Sequence, residues 1–508
     1  MLISVRTHAA PAVRTRPWPS GLAISQEAWL LLGVTVIAAV LRFVTLSSQS
    51  FWFDEAQAAH ELHHSFGAMF SAISADEPNP PLYFIVAWPW AKLFGTGEVG
   101  LRSLSALIGI AVVPLTYLCG RELISRRAGL LAAVFAAINP FMIWYSQEAR
   151  EYMLLAALCS ASFLMFARAW RTNSTRAIVW WAVLSGLALL TQYFAVFLVG
   201  AEGLALLWRH RSRAVVVACG ALILVEAAVL PHAIHHASHP AGWIDAFPLS
   251  IRIEQVPVAF GLGTLYLSSI VSYGLIAAAV LAAVMIVLLV VGADAPALRG
   301  AGLAAMIAGV VLLMPLLLAL IGHDYYEARA LMPAWTPLAV AMAAACTVPR
   351  LRAGATALAG ALVALFVYSG IRINSDSRYQ RADWRGVAKA LGQAHGPRAI
   401  VAYDGTFATA PLALYLPHVA WTGSGQTPQT SQTPVIVSEV DVVGNIYQSA
   451  PARLPQGVRR LGSARVDSYR VDRFSVTPAR RVTPGEIGAL APQLLGPAAP
   501  TTAVLVQS

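Results

Sequence analysis

Apolar residues come in long runs separated by short polar breaks from about residue 27 to about residue 371, and many of the runs are long enough to cross a bilayer. A run such as Leu275–Val291 has no polar face at helical spacing, so it cannot be a surface helix of a soluble domain. Twelve such stretches are visible, and Pro80–Phe94 is about as short as a span can be and is interrupted by Pro89 and Lys92. Counting it as a full crossing would put the loops holding Arg121/Arg126/Arg127, Arg168/Arg171/Arg176, Arg209/Arg211/Arg213, Arg299 and Arg350/Arg352 outside. Reading it as a shallow or re-entrant helix puts them inside, as the positive-inside rule requires. The predicted spans are then 27–47, 103–120, 128–146, 151–168, 177–192, 194–208, 214–232, 263–291, 301–321, 331–348 and 354–371.

This predicts a polytopic α-helical membrane protein with about 11 transmembrane helices, juxtamembrane helices in a first outer loop at 48–102, and a small C-terminal extracytoplasmic α/β domain. Residues 1–26, with Arg6, Arg14 and Arg16, form a cytoplasmic segment ahead of an uncleaved signal anchor, and 27–371 form the membrane domain. The polar stretch 372–482 forms the outer domain, in which Asp383 caps a helix through about Gln393. Strands are expected at Ala399–Tyr403, Pro434–Val440 and Val466–Val476, and a Pro/Ala-rich flexible tail at 483–508.

Composition sharpens this picture in two ways. With 508 residues, 12% charged, the net charge of +10 would suggest nucleic acid in a soluble protein. Here topology accounts for the basic loops, so no nucleic-acid partner is expected, and the bilayer is the partner that composition implies. Cys119, Cys159, Cys219 and Cys346 sit in or beside apolar runs without CxxC spacing, so they read as buried small hydrophobes.

The chemistry gathers at the predicted outer ends of the spans. Asp54 and Glu55 follow the first span in a loop with no lysine or arginine before Lys92. Neighbours on a helix point about 100° apart, so at most one of the two carboxylates acts on a given atom. Asp54 with Gln57 also fits a capping box opening a helix through about His64. His60-Glu61-Leu62-His63-His64 matches HExxH, the zinc protease pattern, without a recognisable third ligand downstream. Asn79-Pro80-Pro81-Leu82-Tyr83 is a rigid entry into the shallow helix.

Gln147-Glu148-Ala149-Arg150-Glu151-Tyr152 and Asp324-Tyr325-Tyr326-Glu327-Ala328-Arg329 place charges at span ends, where they need partners or water. An interfacial ion pair is one reading of Glu148 and Arg150; an arginine that grips a phosphate is the other. Thr191-Gln192-Tyr193 is a third polar break, and Glu202 and Glu226 lie within spans. His232, His235, His236 and His239 form either a polar loop or ligands for a divalent metal ion, the one cofactor the sequence suggests, though no acid neighbours them.

In this order, these pieces resemble the membrane-embedded glycosyltransferases of the C fold, and more closely the bacterial relatives of protein O-mannosyltransferases and of the lipid A aminoarabinose transferase. The matching residues are Asp54-Glu55, Pro80–Tyr83, Gly95…Arg102-Ser103, Gln147–Tyr152, Tyr326…Arg329…Pro333 and Asp383-Trp384-Arg385, spread over about residues 27–420. The resemblance implies a polyprenyl-phosphate sugar donor, inversion at the anomeric carbon, and an envelope glycan, glycolipid or protein acceptor on the outer face. It selects Asp54 as the catalytic carboxylate, with Glu55, Tyr83, Glu148 and Tyr193 in support or on the acceptor side. Arg150, Arg329 and Tyr326 would hold the donor phosphate, and Glu148, His235 and His239 a metal. Relatives often carry His or Lys immediately before the PPLY element, where this chain has Asn79. A transporter or lipid flippase is the alternative class; it would place broken helices and polar groups near mid-membrane rather than at one end of the spans.

Overall fold

The computed structural model describes residues 25–237, 244, 247–264, 272–403, 406–419, 434–446, 454, 456–489 and 503–507. Helix α1 (Gln26–Phe43) starts at Ser25, whose hydroxyl accepts the Ala28 N–H, and most of its apolar side chains face outward. Three short helices fill the first polar loop: α2 (Phe53–His63), α3 (Phe66–Asp76) and α4 (Leu82–Phe94). With 13 residues and an internal Pro89, α4 reaches about 20 Å, short of the ~30 Å hydrocarbon core.

The centre of the bundle holds α5 (Glu98–Leu123), α6 (Arg126–Ile138), α7 (Pro140–Ser146) and α8 (Tyr152–Thr172). The continuous span predicted at 128–146 is broken, α6 and α7 meeting at 57°. Pro140 supplies no N–H and turns Asn139 to extended backbone, from which its side chain accepts the Met142 N–H and caps α7. Ala136 thereby loses the donor four residues on; its carbonyl and that of Ala137 accept instead from Arg42, which is fully buried. Gly109 of α5 permits this crossing, since a Cβ there would lie 2.2 Å from Ser146 Oγ and 3.2 Å from Arg42 Nε.

The bundle continues through α9 (Thr175–Leu189), α10 (Ala195–Arg209), α11 (Arg213–Ala237), α12 (Leu249–Leu262), α13 (Gly274–Gly292), α14 (Ala295–Leu320), α15 (Trp335–Ala345) and α16 (Arg352–Ser375). Among the described residues, seven helices are long and apolar enough to cross a bilayer, or eight with the bent pair counted as one. Of the eleven predicted spans, the other three fall on α9, α10 and α15, which are shorter. α15 is buried along its length except at Leu338, so helices rather than lipid surround it. Trp181, Trp335, Phe135, Phe163 and Phe166 fill the core.

The C-terminal domain begins with α17 (Trp384–Leu391), capped as expected by Asp383, which accepts the Gly386 N–H at 2.9 Å. Strand β1 (Arg398–Ala402) leads into α18 (Thr406–Tyr415), followed by β2 (Val435–Asn445), β3 (Val458–Val466) and β4 (Tyr469–Val482). The chain ends with α19 (Pro484–Ala489) and β5 (Ala503–Gln507). The sheet order is β3-β4-β2-β1-β5, with β1 and β2 parallel and the other neighbours antiparallel. Two expectations are corrected here. Within the stretch expected as a flexible tail, 484–489 form α19 and 503–507 form β5, which pairs with β1 and buries Ala503, Val504 and Leu505. The domain therefore does not end at 482, and β3 is a further strand that the sequence pattern missed.

The domain is stitched to the first loop. Ser50 Oγ donates to the Ala382 carbonyl and accepts the Trp384 N–H, both at 2.9 Å. The Tyr415 hydroxyl accepts the Phe51 N–H at 2.7 Å and donates to Glu98 at 2.5 Å.

Candidate active site

Helix α2 brings the two adjacent carboxylates to the site end of the bundle. The expected capping box is absent: Trp52 occupies the cap position without a side-chain hydrogen bond, and Asp54 and Glu55 lie inside the first turn. Negative charge is favourable there because the N-terminal amide dipoles are unpaired.

The two carboxylates have opposite surroundings. Glu55 is enclosed, its side chain 0% exposed. It takes a fork from Arg102, Nε at 2.7 Å and Nη2 at 2.6 Å, and accepts the Ala149 N–H at 2.9 Å. Burial alone would raise its pKa, but Arg102, Arg381 and the Ala149 amide hold it below the ordinary carboxylate value. Glu55, expected in support or on the acceptor side, thus points inward to Arg102 and the Ala149 amide. Asp54 is 21% exposed and accepts from Arg329 Nη1 at 3.1 Å. Among the described residues its other oxygen, Oδ1, has no hydrogen-bond partner.

The α7–α8 junction supplies the second wall. Gln147 Nε2 anchors it by donating to the Arg42 carbonyl at 3.0 Å and to Thr45 Oγ1 at 2.7 Å. Glu148 meets Arg381 Nη2 at 2.7 Å, and that guanidinium lies over the Trp144 ring. Burial raises the Glu148 carboxyl to about 7: the Arg381 pair opposes the rise without cancelling it, and the charge on Glu55 adds to it. Arg150 donates both terminal nitrogens to Glu77 at 2.9 Å and lies 3.0 Å from Glu151. Its burial would lower its pKa, yet Glu151, Glu77 and Asp54 push it well above the usual value. Asn79 joins Glu77 and Glu151 by donating to both, at 3.3 and 3.1 Å.

The loop before α15 supplies the third wall. Arg252 forks onto Asp324 and donates to the Tyr326 carbonyl at 2.8 Å, fixing the turn. Arg329 then projects between the faces of Trp52 and Tyr152, 5.5 and 5.9 Å from their centroids. Tyr326 is buried, which pushes its phenol up to about 12.

Around these charges, the Trp52 indole N–H, the Tyr83 and Tyr193 hydroxyls, Glu148 Oε1 and Gln192 Oε1 are buried without a partner among the described residues. Buried polar atoms are ordinarily hydrogen-bonded, so unpaired ones concentrated near ion pairs mark a place where a polar ligand is received. The sequence reading gives no role to Arg42, Arg102 or Arg381. Arg381 in particular has no local signal, being one charge in a mixed stretch after α16.

Of the expected metal ligands, Glu148 is engaged by Arg381, His235 meets His236 edge to face with centroids 5.2 Å apart, and His239 lies outside the described residues. Among the described residues, no three His, Cys, Asp or Glu side chains group to hold an ion. His232 and His236 face carbonyls of the first loop, Glu77 at 3.0 Å and Ala75 at 3.2 Å. The HExxH segment occupies the far turns of α2, with His60 and His64 Nε2 atoms 3.4 Å apart; burial and the neighbouring imidazoles push His60 down to about 4.

A family model described as dolichyl-phosphate-mannose-protein mannosyltransferase matches residues 78–235. No curated protein matches the chain by sequence. Among solved structures, ArnT from Cupriavidus metallidurans in the apo state is similar with a TM-score of 0.53 at 14% identity, over 88% of this chain and 98% of that one. The same protein bound to undecaprenyl phosphate gives 0.50 at 14% identity, over 89% and 99%.

Proposed function

We propose that this chain, which has the C fold of the membrane glycosyltransferases, moves a sugar from a polyprenyl-phosphate-linked donor to an acceptor hydroxyl, with inversion. The acceptor is an envelope glycan, glycolipid or protein on the outer face of the cytoplasmic membrane. The observation that carries this reading is the contrast within one helical turn. Glu55 is consumed by Arg102, while Asp54 stands partly open, 3.1 Å from Arg329, among unpaired polar groups. The structure of ArnT with undecaprenyl phosphate is consistent with a lipid phosphate at such a site.

In the step proposed, Asp54 accepts the proton of the acceptor hydroxyl as that oxygen bonds to the anomeric carbon. The bond from that carbon to the phosphate oxygen breaks, and its electron pair leaves with the polyprenyl phosphate. Arg329 lies where it can stabilise the charge on the departing phosphate. Arg150 can do so only by exchanging Glu77 for phosphate, which a dianionic ligand with three acceptor oxygens would favour. A donor whose tail stays in the bilayer also explains how an outer-face site is supplied without nucleotide sugars. No step requires a metal ion.

The test is Asp54→Asn, with glycans and lipid-linked sugars compared between cells carrying the wild-type protein, the variant or neither. Transfer should be lost while membrane insertion and yield are retained. Transfer at the wild-type level would sink the assignment of Asp54.

A further inference from the structure

At the end of the bundle opposite Asp54, helices α5, α8, α10 and α14 leave a crevice of about 1070 Å³. α5 runs to it from Arg102, and α8 from Tyr152, both of which are at the candidate active site. Its mouth carries Arg121, Arg171, Arg209 and Arg299 against one acid, Glu122. Glu122 is taken by Arg171 at 2.5 Å, and Arg121 donates to the Tyr117 hydroxyl at 3.3 Å. Arg209 lies over the Trp170 ring, 5.5 Å from its centroid, and Arg299 donates to a carbonyl of its own helix, Ala295, at 3.2 Å. Among the described residues neither Arg209 nor Arg299 has a carboxylate partner.

Deeper in, the walls become apolar, with Leu204, Leu303, Met306 and Val310. The crevice opens sideways, since Leu204 and Trp208 stay 70% and 74% exposed. Along α14, the eleven steps from Arg299 to Val310 rise about 16 Å, half of the ~30 Å hydrocarbon core and so the depth of one leaflet. Gly300 lets α14 close the floor: a Cβ there would lie 2.2 Å from the Leu123 carbonyl oxygen. Gly302 lines the crevice, and a Cβ there would meet nothing within 4 Å.

Unpaired arginines at the membrane surface above an apolar, side-open groove one leaflet deep match an anionic amphiphile. Inorganic phosphate would satisfy the arginines but leave the apolar wall uncovered; a zwitterionic lipid would cover the wall and bring its own cation to the arginines. We propose that this crevice binds an anionic phospholipid, its phosphate between Arg209 and Arg299 and an acyl chain along α10 and α14. The site is separate from the one assigned to sugar transfer and does not depend on that assignment.

The test titrates the detergent-purified full-length protein with dioleoyl-phosphatidylglycerol or dioleoyl-phosphatidylcholine and counts retained lipid by native mass spectrometry. One phosphatidylglycerol should be held at concentrations where phosphatidylcholine is not. Arg209→Ala with Arg299→Ala should weaken it about 30-fold. Gly302→Leu, which fills the groove without changing charge, should abolish it. Arg350→Ala with Arg352→Ala, at the same end but outside the crevice, should leave it unchanged. Melting in phosphatidylcholine alone checks that the variants fold, and if one crevice variant does not, the other decides. Equal retention of the two lipids, or undiminished binding by a folded crevice variant, overturns the proposal. So does displacement by inorganic phosphate, or a stronger preference for a polyprenyl phosphate.

Discussion

Arg329 Nη1 donates to Asp54 Oδ2 at 3.1 Å across 275 positions of sequence, joining the first turn of α2 to the loop that precedes α15. The pair sits at the boundary between the buried ion network and open space, where an interaction can change partners as substrate binds.

If the two act as one unit, their losses will not add. Arg329→Gln is expected to lower transfer about 100- to 1,000-fold through lost stabilisation of the leaving phosphate. Combining it with Asp54→Asn should be little worse than Asp54→Asn alone. Initial rates with a lipid-phosphate sugar donor in nanodiscs measure this, and multiplicative losses would mean that the two residues work independently.

Glu55 behaves differently because its role is internal. Glu55→Gln leaves the Arg102 guanidinium buried without its counter-charge, which is expected to cost about 3–5 kcal/mol. Yield and melting temperature in detergent should fall, whereas Asp54→Asn should melt like the wild type. Equal melting of the two variants would refute the division of labour between the adjacent carboxylates.

Glu148 predicts a pH dependence. Its folded pKa of about 7 lies above the ordinary 4.5. Between those values the folded protein holds a proton that the unfolded chain has released. The stability this provides is complete below the unfolded pKa and is lost as pH rises through 7, on the order of 3 kcal/mol in all. Melting scans from pH 5 to 8 should therefore slope downward for the wild type and more weakly for Glu148→Gln. Parallel curves would show that Glu148 is ionised throughout.

Strand β5 makes the extreme C-terminal residues structural. Gln507 Oε1 accepts from the buried Arg398 Nε at 2.9 Å, and Val504 and Leu505 are enclosed. Deleting 503–508 should destabilise the domain by about 3–5 kcal/mol from lost apolar burial and open it to limited proteolysis. Cleavage resistance equal to that of the full chain would contradict this.

Much of this architecture was legible in the sequence because long-period hydrophobicity and arginine-rich loops report on the bilayer directly. The Asp383 cap was legible too, being local. The Asn139-Pro140 break was less so: its two residues are plain in the sequence, but a bend is tolerated only if distant groups satisfy the freed carbonyls, and Arg42 does that from α1. The resemblance selected Asp54, but the different surroundings of Asp54 and Glu55 needed Arg102, and the environment of Glu148 needed Arg381, both brought in by tertiary packing. Strand β5 was missed because Pro/Ala-rich composition hides a short apolar segment that pairs with β1.

The bend also constrains how the protein is made. Arg42 leaves the ribosome 94 residues before Ala136 and 104 before Ser146, the acceptors that bury it. At about 5–20 residues per second, that is roughly 5–20 s during which the guanidinium has, of the acceptors it finally bonds, only the Ala38 carbonyl of its own helix. Until then its remaining donors are left to headgroups and water. The N-terminal helix is thus inserted early but docked late, its final seat set by a proline it has not yet met. Arg42→Leu should bring forward the integration of this helix in a translation-arrest force assay while weakening the finished fold, and an unchanged force profile would remove the delay from the account.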